Sequence, residues 1–96
     1  MFRIICRRLH SVAKDITADL SNVNITKDNI WIENSSGYTP IELACKYHNH
    51  IFLQHVKTVL QSTIVKQPYK GRIVSIQDVD PDASSLIGFV SDFYEI

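Results

Sequence analysis

The sequence predicts a single small domain of the α+β class, on three observations. Apolar side chains recur at helical spacing over residues 2–20, and a helix-capping signature opens a second helical region at Thr39. Residues 72–79 and 86–95 are rich in β-branched and aromatic side chains and flank a turn-forming cluster. We therefore expect residues 1–96 to form an N-terminal amphipathic helix, a central helix pair or one long helix, and a C-terminal β-hairpin.

The composition is that of an ordinary globular domain. Hydrophobic residues make up 45% of the chain and charged residues 21%, a balance that argues against disorder. No apolar run approaches the roughly 20 residues that a membrane-spanning helix needs, so no membrane span is predicted. The two cysteines, Cys6 and Cys45, give no spaced disulfide framework. This favours an intracellular, cytoplasmic protein, with mitochondria as the alternative compartment.

The first predicted helix has an apolar stripe and a basic face. Arg3, Arg7 and Lys14 lie at separations of four and seven, so they share one side of the helix. With Arg8 the segment has four basic charges, which in a chain of zero net charge are too few to predict nucleic-acid binding. The apolar stripe comprises Ile5, Leu9, Val12, Ala13, Ile16 and Leu20, and Phe2 and Cys6 extend it.

The sharpest local signal is the start of the central helical region. Thr39 is a good N-cap, Pro40 takes the first helical position and Glu42 the third, which together predict a capping box. Asn49 tolerates a left-handed conformation and could end a first helix, after which a second stripe follows. The alternative is one long helix over residues 40–63. Upstream, the apolar island at residues 30–32 is either a brief strand or a loop pinned by Trp31.

The C-terminal segments predict a hairpin with two partly covered faces. The cluster at residues 80–85 favours a turn. In the second strand, Ile87, Phe89 and Phe93 would share one face, and Val90 and Tyr94 the other. An edge that carries such residues invites pairing with another chain.

Residues 37–60 resemble an ankyrin repeat. The stretch from Gly37 to Cys45 is similar to the family's G-x-T-P-L-H-x-A signature, and Asn49-His50 stands where the family usually has Gly-His. Glu42 departs from the family pattern by replacing its histidine, and one repeat is present where stable arrays need about three. The resemblance implies protein binding rather than catalysis.

Residues 1–11 resemble a mitochondrial targeting peptide, being amphipathic, rich in arginine and free of acids. This resemblance implies a small imported subunit of a larger assembly, from which residues 1–20 could be cleaved. The alternative is a basic surface helix that packs through its apolar stripe.

One cluster raises the possibility of metal or thiol chemistry. Cys45 and His48 would lie one helical turn apart, with His50 close by, but the spacing matches no standard zinc site. We therefore predict no cofactor, and keep a metal- or thiol-dependent activity at Cys45, His48 and His50 as an alternative. The chain lacks a nucleophile elbow, a glycine-rich phosphate loop and a paired-carboxylate motif, so we predict that it is not an enzyme.

These features predict a non-enzymatic protein–protein interaction module, a small ankyrin-like or α+β adaptor. Its partner would be another protein or a second copy of the chain. Tryptophan and tyrosine are the residue types that most often anchor such contacts. The predicted partner-binding residues are Trp31, Asn34 and Tyr38 in the loop, and Phe89, Phe93 and Tyr94 on the outer face of the hairpin.

Overall fold

The computed structural model describes residues 2–61 and 63–96, with the side chains of residues 2–7 excluded. Within these ranges the chain has a mixed α+β fold with five α-helices, one 3₁₀ turn at Leu20–Asn22 and a parallel pair of two-residue strands. None of the described helices has the length and apolar character that crossing a membrane requires. The elements are α1 (Phe2–Lys14), α2 (Pro40–Lys46), α3 (His50–Leu60), β1 (Gln67–Pro68), α4 (Arg72–Val79), α5 (Ala83–Val90) and β2 (Tyr94–Glu95).

Helix α2 lies at the centre of the molecule. Every residue from Pro40 to Cys45 is buried, and α1, α3, α4 and α5 all contact this helix. The predicted capping box is confirmed: the Thr39 hydroxyl accepts a hydrogen bond from the Glu42 amide (3.2 Å), and the Glu42 carboxylate accepts one from the Thr39 amide (2.9 Å). Local capping and central burial therefore act on the same short segment.

The chain turns between α2 and α3 at residues 47–49, so one long helix is not formed. The left-handed residue is His48 (φ 55°), not Asn49 as the sequence suggested. Asn49 is instead the N-cap of α3, where its side-chain oxygen accepts from the Phe52 amide (3.0 Å). Its side-chain nitrogen donates to the carbonyls of Val12 (3.2 Å) and Ala13 (3.0 Å), which ties the end of α1 to the turn.

Helix α1 ends at Lys14, so the predicted extent of residues 2–20 is wrong beyond that point. The Asp15 carboxylate accepts from the amide (2.9 Å) and hydroxyl (2.6 Å) of Thr17, a local pattern that competes with helical hydrogen bonding. Beyond this break, Ile16 is 54% exposed rather than packed. The side chains of Phe2, Arg3, Ile5, Cys6 and Arg7 lie outside the described residues.

The predicted C-terminal hairpin is wrong. Residues 72–79 form α4 and residues 83–90 form α5, while β2 pairs in parallel with β1 rather than with residues 72–79. In α5 the buried residues are Ala83, Leu86 and Val90, at spacings of three and four that suit a helix. Packing of these side chains into the core overrides the β-propensity of the segment.

The loop before α2 is held in place without forming a strand. Residues 30–32 form no strand, which confirms the loop alternative for the apolar island. Ile30 is buried in the core, and Nε2 of His10 lies 2.7 Å from the carbonyl oxygen of Ile32. This anchoring fixes the segment that leads to Tyr38 and the start of α2.

Candidate functional site

Two of the predicted partner-binding residues belong to the core. Phe93 and Tyr94 are fully buried, so their assignment to an exposed surface is wrong. The Tyr94 hydroxyl lies 2.6 Å from the Thr39 hydroxyl, which links β2 to the cap of α2. Burial raises the pKa of Tyr94, so its phenol keeps its proton. These residues hold the C-terminal end of the chain against α2.

Trp31 and Asn34 shape the loop around the site. Trp31 is half-buried and meets the Tyr94 ring edge-on, with 5.4 Å between ring centroids. The Asn34 side-chain oxygen accepts from the amides of Ser36 (2.9 Å) and Tyr38 (3.0 Å). Asn34 therefore fixes the backbone at Tyr38, and Trp31 anchors the same loop on Tyr94.

Phe89 is half-buried near the start of α3. The Lys57 ammonium lies 4.4 Å from the centroid of the Phe89 ring, and the His50 ring meets it edge-on at 6.2 Å. Lys57 also pairs with Asp92 at 2.6 Å. One face of the Phe89 ring is thus covered by a cation of the chain itself.

Tyr38 lines a groove of about 380 Å³ that runs between α2 and α4, which we call the α2–α4 groove. The side chain of Val79 at its edge is 86% exposed, more than that of any other large apolar residue among those described. Apolar surface thus lies beside charged and hydroxyl groups. The lining residues are Tyr38, Lys46, Arg72, Ser75, Ile76, Val79 and Asp80.

Arg72 is held rigidly in the groove wall. Its guanidinium donates to the buried carboxylate of Glu42 (3.1 Å), to Glu33 (3.3 Å) and to the Gly37 carbonyl. The hydrogen bond to Glu42 raises the pKa of Arg72. The guanidinium carbon also lies 5.0 Å from the centroid of the Tyr38 ring, so the position of the ring depends on this ion-pair network.

Lys46 also lies beside the Tyr38 ring. Its ammonium is 5.1 Å from the ring centroid, within the range of a cation–π contact. Lys46 is exposed at the end of α2, and no carboxylate of the described residues forms an ion pair with it. Its charge is therefore available on the groove surface.

Asp80 closes the groove at the end of α4. Its carboxylate lies 2.6 Å from Nε2 of His48, the left-handed residue of the α2–α3 turn. This contact joins the turn after α2 to the turn after α4. The carboxylate of Asp80 is thus already engaged within the chain.

The predicted metal or thiol cluster is not assembled. His48 faces Asp80, and the His50 ring packs against Phe89. Cys45 is fully buried, and burial together with the nearby charge of Glu42 raises the pKa of its thiol to about 11. Among the described residues, no three histidine, cysteine or acidic side chains are grouped to hold a metal ion. Such a thiol keeps its proton at neutral pH, so it lacks the thiolate form that acts as a nucleophile.

Sequence reasoning found Tyr38 but missed the α4 side of the groove. Arg72, Ile76 and Val79 follow one another at spacings of four and three, which places them on one face of a helix. In a strand, Arg72 and Ile76 would share a face and Val79 would lie on the opposite face. That helical spacing was the signal that could have identified the site.

No family model, curated protein or solved structure matches this chain. Information on function therefore lies in the geometry of the α2–α4 groove.

Proposed function

We propose that the protein is a non-enzymatic protein-interaction module that binds its partner in the α2–α4 groove. The observation that carries this proposal is the 86% exposure of Val79 at the edge of a groove with an ordered aromatic ring. A single exposed valine is common in globular proteins. A valine beside Tyr38 and two cations makes a mixed apolar and charged surface, which is typical of a recognition site.

The groove is preorganised for binding. Arg72 is fixed by Glu42 and Glu33, and Tyr38 is flanked by the cations of Arg72 and Lys46. Arg72 and Tyr38 therefore have little side-chain freedom left to lose when a partner binds, which lowers the entropic cost of association. Trp31 and Asn34 contribute indirectly by fixing the loop that carries Tyr38.

We also propose that the α2–α3 pair is an ankyrin-like unit within a different fold. Two short helices joined by a tight turn occupy residues 40–60, inside the segment that resembles the repeat. An isolated repeat cannot bury its own faces. Here α1, α4 and α5 all contact α2 and take the place of neighbouring repeats. The resemblance supports protein binding as the function.

The import hypothesis stays a prediction. Leu9, Val12 and Ala13 of α1 are buried in the core, and Asn49 bonds to the end of this helix. These contacts support a structural role for residues 9–13 in the folded chain. Binding through Phe89 likewise stays a prediction, since this residue lies outside the α2–α4 groove.

Selection of peptides from a random display library tests the proposal. The wild-type protein is the bait, and recovered peptides are measured against Val79→Ser and against Val65→Ser. Val65 is a matched control because it is 60% exposed and lies outside the groove. We expect Val79→Ser to weaken the peptides about tenfold and Val65→Ser to leave them unchanged. Thermal melts of both variants verify folding.

Two results would contradict the proposed function. The first is a selection that yields no specific peptides. The second is a set of peptides whose affinities are the same for wild type, Val79→Ser and Val65→Ser, because such peptides bind elsewhere.

A further inference from the structure

We propose that the α2–α4 groove recognises a short, extended segment of a partner protein that carries a carboxylate side chain next to an aliphatic one. This inference rests on the proposed function and specifies the chemistry of the partner. It follows from three properties of the groove: the charge of Lys46, the apolar side chains of α4 and the size of the space between them.

Lys46 is the group that selects a carboxylate. Its ammonium forms no ion pair with a described carboxylate and is oriented by the Tyr38 ring at 5.1 Å. A ring face covers one side of an ammonium and leaves its other donors for hydrogen bonds. A carboxylate of the partner would accept hydrogen bonds from the ammonium of Lys46 without displacing any contact within the chain.

The other charged side chains of the groove already have partners within the chain. Arg72 is neutralised by Glu42 and Glu33, which also pairs with Lys70 at 2.7 Å. Asp80 is the one carboxylate in the lining, and His48 holds it at 2.6 Å. Lys46 is therefore the charged side chain of the lining that no charged or polar group of the described residues engages, and a negative group of the partner would complement it.

Ile76 and Val79 select the aliphatic side chain. They lie one turn apart on α4 and form the apolar part of the lining. Binding of an aliphatic residue over Val79 would remove the most exposed apolar side chain of the described chain from water. Tyr38 and Ser75 also line this space.

The size of the groove favours a short segment over a folded surface. Its volume of about 380 Å³ lies near the lower end of the range of about 300–1,000 Å³ typical of small-ligand pockets. Such a space accepts a few adjacent side chains. An acidic residue next to an aliphatic one matches the charged and the apolar parts of this lining.

Three fluorescein-labelled peptides test this inference by fluorescence polarisation. The first carries two glutamates followed by two leucines between glycine–serine spacers. The second replaces the glutamates by lysines, and the third replaces the leucines by serines. We expect the first to bind at least about tenfold more tightly than either of the others at low salt.

Charge reversal separates recognition from damage to the fold. Lys46→Glu should weaken binding of the acidic peptide about tenfold and strengthen binding of the lysine peptide. A negative side chain at this position repels the glutamates of the first peptide and attracts the lysines of the second. Lys27→Glu is the matched control, since Lys27 is exposed in the loop before α2 and outside the groove. We expect this control to leave the order of the peptides unchanged.

The outcomes distinguish this inference from the proposed function. Peptides recovered by display that bind at Val79 but lack acidic residues would overturn the inference and leave the function standing. Failure of both the display selection and the designed peptides would overturn both. Equal binding of the first and third peptides, with equal displacement by inorganic phosphate, would show a simple anion site and overturn the inference.

Discussion

Helices α2 and α5 are similar in length but differ in how their sequences specify them. Helix α2 begins with a complete capping box at Thr39 and Glu42. The N-cap residue of α5, Asp82, makes no side-chain cap hydrogen bond, and the N-cap residue of α4, Gly71, has no side chain that could make one. Helices this short are marginal in isolation, so both depend on packing. Only in α2 does the local sequence also mark the start.

The difference teaches where helix prediction from one sequence succeeds. Capping residues act within a few positions, so the pattern Thr-Pro-x-Glu predicts the start of α2 whatever surrounds it. Helix α5 forms because Leu86 and Val90 are buried among other elements of the fold. That burial depends on contacts distant in sequence, which local propensity does not contain.

Among substitutions that test this comparison, the largest change in stability is expected at Glu42 in α2. Glu42→Ala should lower the free energy of unfolding by about 3 kcal/mol, because it leaves the buried Thr39 amide without an acceptor and takes a charged partner from Arg72. Chemical denaturation monitored by circular dichroism measures the change. A loss below about 1 kcal/mol would contradict the role assigned to the capping box.

Glu42→Gln is the matched control. The amide oxygen of glutamine can still accept from the Thr39 amide, whereas its charge interaction with Arg72 is lost. We expect a smaller loss of stability than for Glu42→Ala. Equal losses in both variants would mean that the ion pair, and not the cap, accounts for the effect.

The same contrast explains how much of the molecule could be predicted. The cap of α2, and the turn before α3 as one of two alternatives, follow from residues close together in sequence. The strands of the α+β fold do not, because β1 and β2 are distant in sequence and the predicted hairpin does not form. In the candidate site, Tyr38 was predicted, whereas Lys46, Arg72 and Val79 were not. The pattern of β-branched residues in 72–79 favours a strand, and the packing of Ile73 that makes it a helix comes from elsewhere in the chain.

A second prediction uses the titration of Cys45 in α2. Its thiol has a pKa of about 11 in the folded chain, against an ordinary value of 9.0. Between these values the unfolded thiol ionises while the folded thiol keeps its proton. The contribution of Cys45 to stability is therefore complete below pH 9 and falls as the pH rises toward 11.

Cys45→Ala and Leu86→Ala make this contrast measurable. The cost of Cys45→Ala in unfolding free energy should shrink by about 1 kcal/mol between pH 7 and pH 10. The cost of Leu86→Ala should stay constant, because α5 contains no titratable side chain. Denaturant titrations at the two pH values give both differences. Parallel behaviour of the two variants would refute the protonated, buried thiol.

The smallest change in stability is expected for substitutions of Gly88, which test whether residues 83–90 are helical. Gly88 is exposed, and a methyl group added there would meet no atom within 4 Å, so intrinsic propensity decides the outcome. If residue 88 lies in a helix, Gly88→Ala should raise the free energy of unfolding by about 0.5–1 kcal/mol. The Gly88→Ala variant should also be more stable than Gly88→Val by about 0.5 kcal/mol. In the strand that the sequence suggested, valine would be the better of the two residues. Thermal denaturation of the two variants therefore distinguishes a helix held by packing from a hairpin, and a higher stability for Gly88→Val would reinstate the strand.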